Sequence, residues 1–205
     1  MVKGGGDALG EFMREYYSIC LALCVPPDQW KRALVVAIEK VPGVSRVDKL
    51  RPLKLLEVTM KGVVSIVKDR LKGVFEQLGL LHRLQMAFRA GRSTALAGML
   101  MVVAAEAAVR YRRELHIITL DVRKAYDSVV RTIGKEAALR RLGVPMKTVE
   151  FLMELDRGNK NEVRTFWDDV LGGGEAAFEA RRGFAQGSAD ACLLYTSPSP
   201  RDGLL

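Results

Sequence analysis

The stretch LHIITLDVRKAYDSVV, residues 115–130, decides how this chain is read. Leu115, Ile117, Ile118 and Leu120 make an apolar run of strand length, which predicts a buried strand. The run stops at Asp121, and Tyr126 and Asp127 follow five and six residues later. A carboxylate at the end of an apolar strand is costly unless water, a hydrogen-bond donor or a cation meets it. The residues alone leave two readings open. Asp121 or Asp127 caps the helix that follows, or the strand end presents Asp121 to a ligand on a rigid support.

Working outward, helical spacing over residues 128–142 predicts a helix, with Gly143 and Pro145 placed as its stop. A shorter helical segment over 150–156 follows, then polar and glycine-rich stretches that read as loop or hairpin. Upstream, Ser93 is placed to cap a helix from Thr94 to about Arg112. Val63, Val64, Ile66, Val67, Leu71, Val74, Phe75 and Leu78 form one helical face, closed by Gly79. ALVVAIEK (33–40) and KLRPLKLLEV (49–58) flank a turn with Pro42-Gly43, which predicts a basic hairpin. Phe12, Tyr16, Ile19 and Leu23 give the first helix, over 11–23, and Pro26-Pro27 end it. This mixture of helices and strands means α/β or α+β.

Bulk properties narrow the function classes. The 205 residues are 49% hydrophobic and 27% charged, as expected of a folded globular chain with a core of its own. The longest apolar run, 95–105, is about half of the roughly 20 residues a membrane helix needs, so no membrane partner is expected. Met1-Val2-Lys3 leads into glycines and Asp7, which does not read as a signal peptide. Cysteines at 20, 24 and 192 show no metal-ligand spacing and point to a reducing, intracellular setting. Cys20 and Cys24 read as packing residues. The net charge is +8, and its placement is uneven. Residues 31–92 hold 14 of the 32 basic residues and 5 of the 24 acidic ones, leaving 18 and 19 elsewhere. A basic first half on a balanced remainder points to a polyanion. The glycine triplets at 4–6 and 172–174 lack the Lys-Ser/Thr ending of a phosphate loop. His82 and His116 make neither a triad nor a zinc set.

Five blocks in order carry a family resemblance. LDVRKAYDSV resembles the first catalytic motif of reverse transcriptases: Asp, three residues, Ala, an aromatic and a second Asp. PPDQWKRALVVAIEK resembles the Pro-x-x-Trp-Lys start of the fingers in reverse transcriptases of non-LTR (LINE-like) retrotransposons. KLRPLKLLEVTMK is similar to their Arg-Pro-Ile/Leu-x-Leu-Leu segment, QMAFRAGRST to their Gly-Phe-Arg-x-Gly-Arg-Ser-Thr block, and RRGFAQGSADA to the Gly-x-x-Gln-Gly palm motif. Together they span residues 26–191.

The resemblance implies an α+β, right-hand polymerase fold: fingers plus a partial palm, with an incomplete antiparallel palm sheet and packed helices. The N-terminal helix and basic fingers would occupy 1–94 and the partial palm 95–191. By the family pattern Asp121 is the catalytic carboxylate and, with the Val122 carbonyl, a ligand of Mg²⁺ in a two-metal site. Tyr126 would pack beneath the incoming sugar and disfavour a 2′-hydroxyl; packing in the core is its other reading. Asp127 reads as a helix cap. Arg51 and Lys40 would grip the triphosphate of an incoming nucleotide. Gln186 would touch the nascent pair, and Gly187 would let the backbone approach the template. Arg89 and Arg92 either face the template–primer backbone or hold their own loop. The implied partners are an RNA template, a DNA primer and deoxynucleoside triphosphates, and the implied activity is RNA-directed DNA polymerase.

The sequence departs from the pattern in three places. Ala189-Asp190 replace the more usual residues after Gln-Gly. An aromatic-x-Asp-Asp motif should follow Gln186; FWDDV at 166–170 precedes it and does not fill that place. Residues 192–202 resemble the forward translation of a transposase-type sequencing adapter, so 192–205 are read as a non-native tail. The expectation is therefore a reverse transcriptase fragment, inactive as it stands because the second carboxylate motif is missing. The alternative is a catalytically dead, reverse-transcriptase-like scaffold that binds nucleic acid.

Overall fold

A computed structural model describes residues 6–40, 42–43, 49–87, 89–120, 129–164, 177–180 and 182–183. The two aliphatic segments pair as the sequence predicts. Strand β1 (Arg32–Glu39) runs antiparallel to β2 (Leu50–Leu56), with Ala33 opposite Leu56 and Glu39 opposite Leu50. Pro52 is tolerated because β2 is an edge strand, where a missing N–H breaks no outer ladder. A third strand, β3 (Lys160–Arg164), lies on the other side of β1 and parallel to it, giving the order β2-β1-β3. The polar composition of this segment suggests loop or hairpin; the ladder with β1 and the burial of Asn161 make it a strand.

Five helices accompany this mixed sheet: α1 (Asp7–Leu23), α2 (Val58–Gln77), α3 (Thr94–Arg110), α4 (Ala137–Arg141) and α5 (Met146–Glu154). Helix α4 is entered through a π-helical turn, Arg131–Glu136, so the expected helix starts three residues late. Caps set the boundaries. The Glu57 carboxylate accepts from the Met60 N–H at 2.8 Å, and Ser93 Oγ from the Leu96 N–H at 3.2 Å. Helix α2 ends where Gly79 takes a φ of +63°, with Leu80 N–H bonded back to the Phe75 carbonyl and Gly79 N–H to that of Glu76. The same device at Gly143 ends α4.

One apolar cluster joins these elements. Val63, Val64 and Phe75 of α2 meet Leu139, Val149, Phe151 and Leu152. Trp30 closes one side, in a 3₁₀ turn (Asp28–Lys31) after the two prolines. Its indole N–H donates to Thr59 Oγ1 at 2.8 Å. Tyr16 and Tyr17 lie against it, with ring centroids 5.7 and 6.1 Å away. Those aromatic contacts set the rotation of α1. Its inward stripe is Tyr16, Tyr17, Cys20, Leu21 and Cys24, whereas Phe12, Ile19 and Leu23 are exposed. Both cysteines are free thiols in a packed setting, and burial pushes the Cys20 thiol up, keeping it protonated.

Residues 115–120 depart from expectation. They adopt no strand, and Leu120 is 91% exposed. A strand exists only where a neighbour takes up its N–H and C=O groups, and no described residue does so here. The antiparallel palm sheet expected around this segment is therefore not formed among the described residues. Helix α3 likewise buries no side chain, although Met99, Leu100, Met101, Val102 and Val103 lie along it. No described helix is long and apolar enough to cross a membrane.

The cluster, not helix amphipathicity as such, should govern stability. Phe75→Ala or Phe151→Ala should each lower the unfolding free energy by about 3–5 kcal/mol. Phe12→Ala should stay within about 0.5 kcal/mol. Urea denaturation followed by circular dichroism measures both, and equal losses at positions 12 and 75 would contradict this core.

Candidate nucleic-acid site

The hairpin brings two of the predicted phosphate ligands to one end of the sheet. Arg51 on β2 lies opposite Ile38 on β1, and Lys40 follows β1 two residues beyond Ile38. The Lys40 N–H donates to the Lys49 carbonyl at 3.0 Å, extending the ribbon by one step. Arg51, Lys40 and Lys49 are all exposed there. Eleven residues separate Lys40 from Arg51 in sequence, and the antiparallel register cancels that separation. Exposed cations in water keep their charge and can exchange counterions for phosphates at little desolvation cost.

The second basic element behaves differently. Arg89 lies in the loop after α2, and its guanidinium is already engaged. Nε and Nη2 donate to the two carboxylate oxygens of Glu76 at 2.8 and 2.6 Å, and Nη1 donates to the His82 carbonyl at 2.8 Å. This fork-to-fork pair ties the loop back to the last turn of α2. The hydrogen bond from Arg89 holds the Glu76 carboxyl below its ordinary range, and the same bond raises Arg89. Arg92 is exposed, with its backbone N–H on the Arg89 carbonyl at 3.4 Å. Arg89 thus has three donor contacts within its own loop and α2, while Arg92 is exposed.

The Trp-Lys block is likewise an anchor. Lys31 Nζ bonds Glu154 Oε1 at 2.8 Å, fastening the 3₁₀ turn to α5. Asp121, Val122, Tyr126, Gln186 and Gly187 lie outside the described residues. Among the described residues no three His, Cys, Asp or Glu side chains gather to hold a metal. Hard oxygen donors are what Asp121 and Val122 would bring, and such donors suit Mg²⁺.

Sequence reasoning passed over the buried polar residues Arg131, Lys135, Asn159 and Asn161. Their hydrogen bonds reach residues 178–183, just before Gln186. A signal was present: Arg131 and Lys135 fall at i and i+4 on the stripe that continues through Ala138 and Leu142, so two cations occupy core positions.

Known proteins resemble the chain over most of its length. The family described as reverse transcriptase (RNA-dependent DNA polymerase) matches residues 38–196. A relative from Nasonia vitripennis, the retrovirus-related Pol polyprotein from type-1 retrotransposable element R2, is 25% identical over 163 residues. That match covers 80% of this chain and 15% of the relative, so the chain spans a small part of that polyprotein's length.

The Glu76–Arg89 pair predicts an acid response with a definite sign. Because the folded-state carboxyl is depressed, its contribution is complete above the ordinary glutamate value and is lost as pH falls through the lower folded value. Glu76→Gln should therefore expose the loop 81–92 to protease at neutral pH. The difference from the parent chain should close as pH drops below the glutamate range. A gap that stays constant with pH, followed by pulse digestion with an acid-stable protease, would assign the effect to something other than this carboxyl.

Proposed function

Because the chain belongs to the reverse transcriptase (RNA-dependent DNA polymerase) family, we propose that it supplies the fingers and part of the palm of a non-LTR retrotransposon enzyme. The reaction is RNA-templated DNA synthesis from a DNA primer and deoxynucleoside triphosphates. The observation that carries this reading is the β1–β2 hairpin, which joins Lys40 and Arg51 at one exposed end, within a chain matched to the family over 38–196.

In this reading the hairpin end receives the triphosphate. A guanidinium bonds two phosphate oxygens at once, so Arg51 both attracts and orients, while Lys40 and Lys49 add charge. Arg92 faces the template–primer backbone from the loop that Arg89 holds. The Asp121 carboxylate and Val122 carbonyl would hold Mg²⁺, which when bound lowers the barrier for the primer hydroxyl and steadies the triphosphate. Tyr126 excludes the 2′-hydroxyl, and Gln186 with Gly187 meets the nascent pair. Nucleotidyl transfer needs more than one carboxylate to hold paired cations, and in this sequence the one aromatic-x-Asp-Asp string, FWDDV at 166–170, precedes Gln186 rather than following it. These 205 residues should therefore bind template–primer without extending it.

Two measurements test the reading. Affinity for an RNA–DNA hybrid should fall steeply between about 50 and 200 mM salt, as phosphate contacts release counterions; a flat response removes nucleic acid as the partner. In a longer polypeptide that also carries the aromatic-x-Asp-Asp motif, primer extension should be present, and Asp121→Ala should reduce it by about 10³-fold or more. Equal extension with and without Asp121 would sink the metal assignment. Tight binding with no extension in either protein would favour the scaffold.

A further inference from the structure

The four buried polar residues form one network, which reaches Gly183, itself bonded to Val129. Arg131 Nε donates to the Gly183 carbonyl at 2.9 Å, and its Nη1 to the Asp156 carbonyl at 3.2 Å. The same Nε lies 3.8 Å from Asp156 Oδ1. Lys135 Nζ reaches Asp156 Oδ2 at 2.7 Å and the Leu152 carbonyl at 2.9 Å. Asn159 Nδ2 donates to the carbonyls of Asp156 and Ala180, while its Oδ1 accepts from the Ala180 N–H and from Asn161 Nδ2. Asn161 also exchanges two backbone bonds with Phe178, at 2.9 and 3.0 Å.

The outcome is specific. Residues 177–180 and 182–183 are tied down at Phe178, Ala180 and Gly183. The Gly183 N–H donates to the Val129 carbonyl at 2.9 Å. Val129 stands one residue after the segment 121–128, and Gly183 three residues before Gln186. A buried guanidinium is costly to desolvate, and this one is offset by the Gly183 carbonyl and by both the carbonyl and the carboxylate of Asp156. Such a group tolerates few arrangements, which makes it suited to fixing geometry.

We propose that Arg131 is a positioning residue, clamping the start of the Gln186 segment to the end of the Asp121 segment through Gly183 and Val129. Asp156 holds the guanidinium in place, and Lys135 balances the carboxylate from its other oxygen. The role as positioning rests on the polymerase reading above; the clamp itself does not.

The test uses the 205-residue chain. Arg131→Met keeps bulk and removes the donors; Arg131→Lys keeps charge without the fork. In hydrogen exchange, the Gly183 amide should open about tenfold faster in R131M while the Phe178 amide keeps its protection, because a buried hydrogen bond sets local opening. At a temperature where the variant is fully folded, affinity for the RNA–DNA hybrid should drop about fivefold, as preorganisation of the surface is lost. The slope of affinity against salt should not change, since a buried guanidinium meets no phosphate. R131K should recover part of the affinity. Arg140→Met, which removes an exposed charge four residues past the end of the π turn, should leave it unchanged. If R131M does not fold, Asp156→Asn serves instead, with a smaller acceleration at Gly183. An unaltered Gly183 amide overturns the clamp. A faster amide with undiminished hybrid affinity overturns the positioning role. Failure of the parent chain to bind hybrid overturns the polymerase reading, and the positioning role with it, while the Gly183 amide still reports on the clamp.

Discussion

Lys135 and Arg131 are both buried against the single carboxylate of Asp156. Removing two cations from water costs several kcal/mol each unless partners replace the lost hydration. The partners come from α5, from the turn after it and from residues 182–183, so those segments cannot separate without stranding a charge. Apolar packing in the cluster of Phe75, Phe151 and Leu152 supplies the non-directional part of stability. It does not choose among nearly equivalent packings; hydrogen bonds with fixed direction do.

The chain's positive charge is thus divided between two tasks. Arg131, Lys135, Lys31 and Arg89 spend their donors on internal acceptors: a carbonyl, Asp156, Glu154 and Glu76. Lys40, Lys49, Arg51 and Arg92 stand in solvent. A count of basic residues over 31–92 cannot separate Lys31 and Arg89 from the four exposed cations. The separation matters, because only the second can meet phosphate without first giving up an internal partner. Net charge attracts a polyanion from a distance, and on the proposed reading the hairpin end would set the contact geometry.

Local chemistry made much of the fold legible in the sequence. Gly79 and Gly143 stop helices, Ser93 caps one, and the two aliphatic runs around Pro42-Gly43 pair, because each signal acts within a few residues. Long-range contacts overrode local pattern elsewhere. Helix α1 turned Tyr16, Tyr17 and Cys20 inward, since Trp30 offers the rings an edge-on contact that Phe12 and Leu23 cannot reach. The polar segment 160–164 became β3 because β1 had a free side and Asn161 had buried partners. At Asp121, Val122, Tyr126, Gln186 and Gly187 the candidate site rests on motif alone, because those positions lie outside the described residues. At Arg89 the motif and the structure diverge in emphasis, and the reason is Glu76, a residue thirteen positions away that no motif contains.

What surrounds Asp121 on either side is asymmetric. After it, Val129 is bonded to Gly183 and followed by the buried Arg131. Before it, Leu120, Ile118 and Ile117 face solvent, and no described strand takes up their backbone. A carboxylate that serves as a metal ligand must be held on both sides, because a rotation of the strand by one residue turns it to the opposite face. If Asp121 is such a ligand, the network around Asp156 would supply the hold on one side, through Val129, and a sheet neighbour for residues 115–120 would supply the other. Helix α3 ends at Arg110, shortly before that segment, and is itself apolar and uncovered among the described residues. An added strand layer would pair the one and bury the other, so a single element can complete both, and with them the support of Asp121.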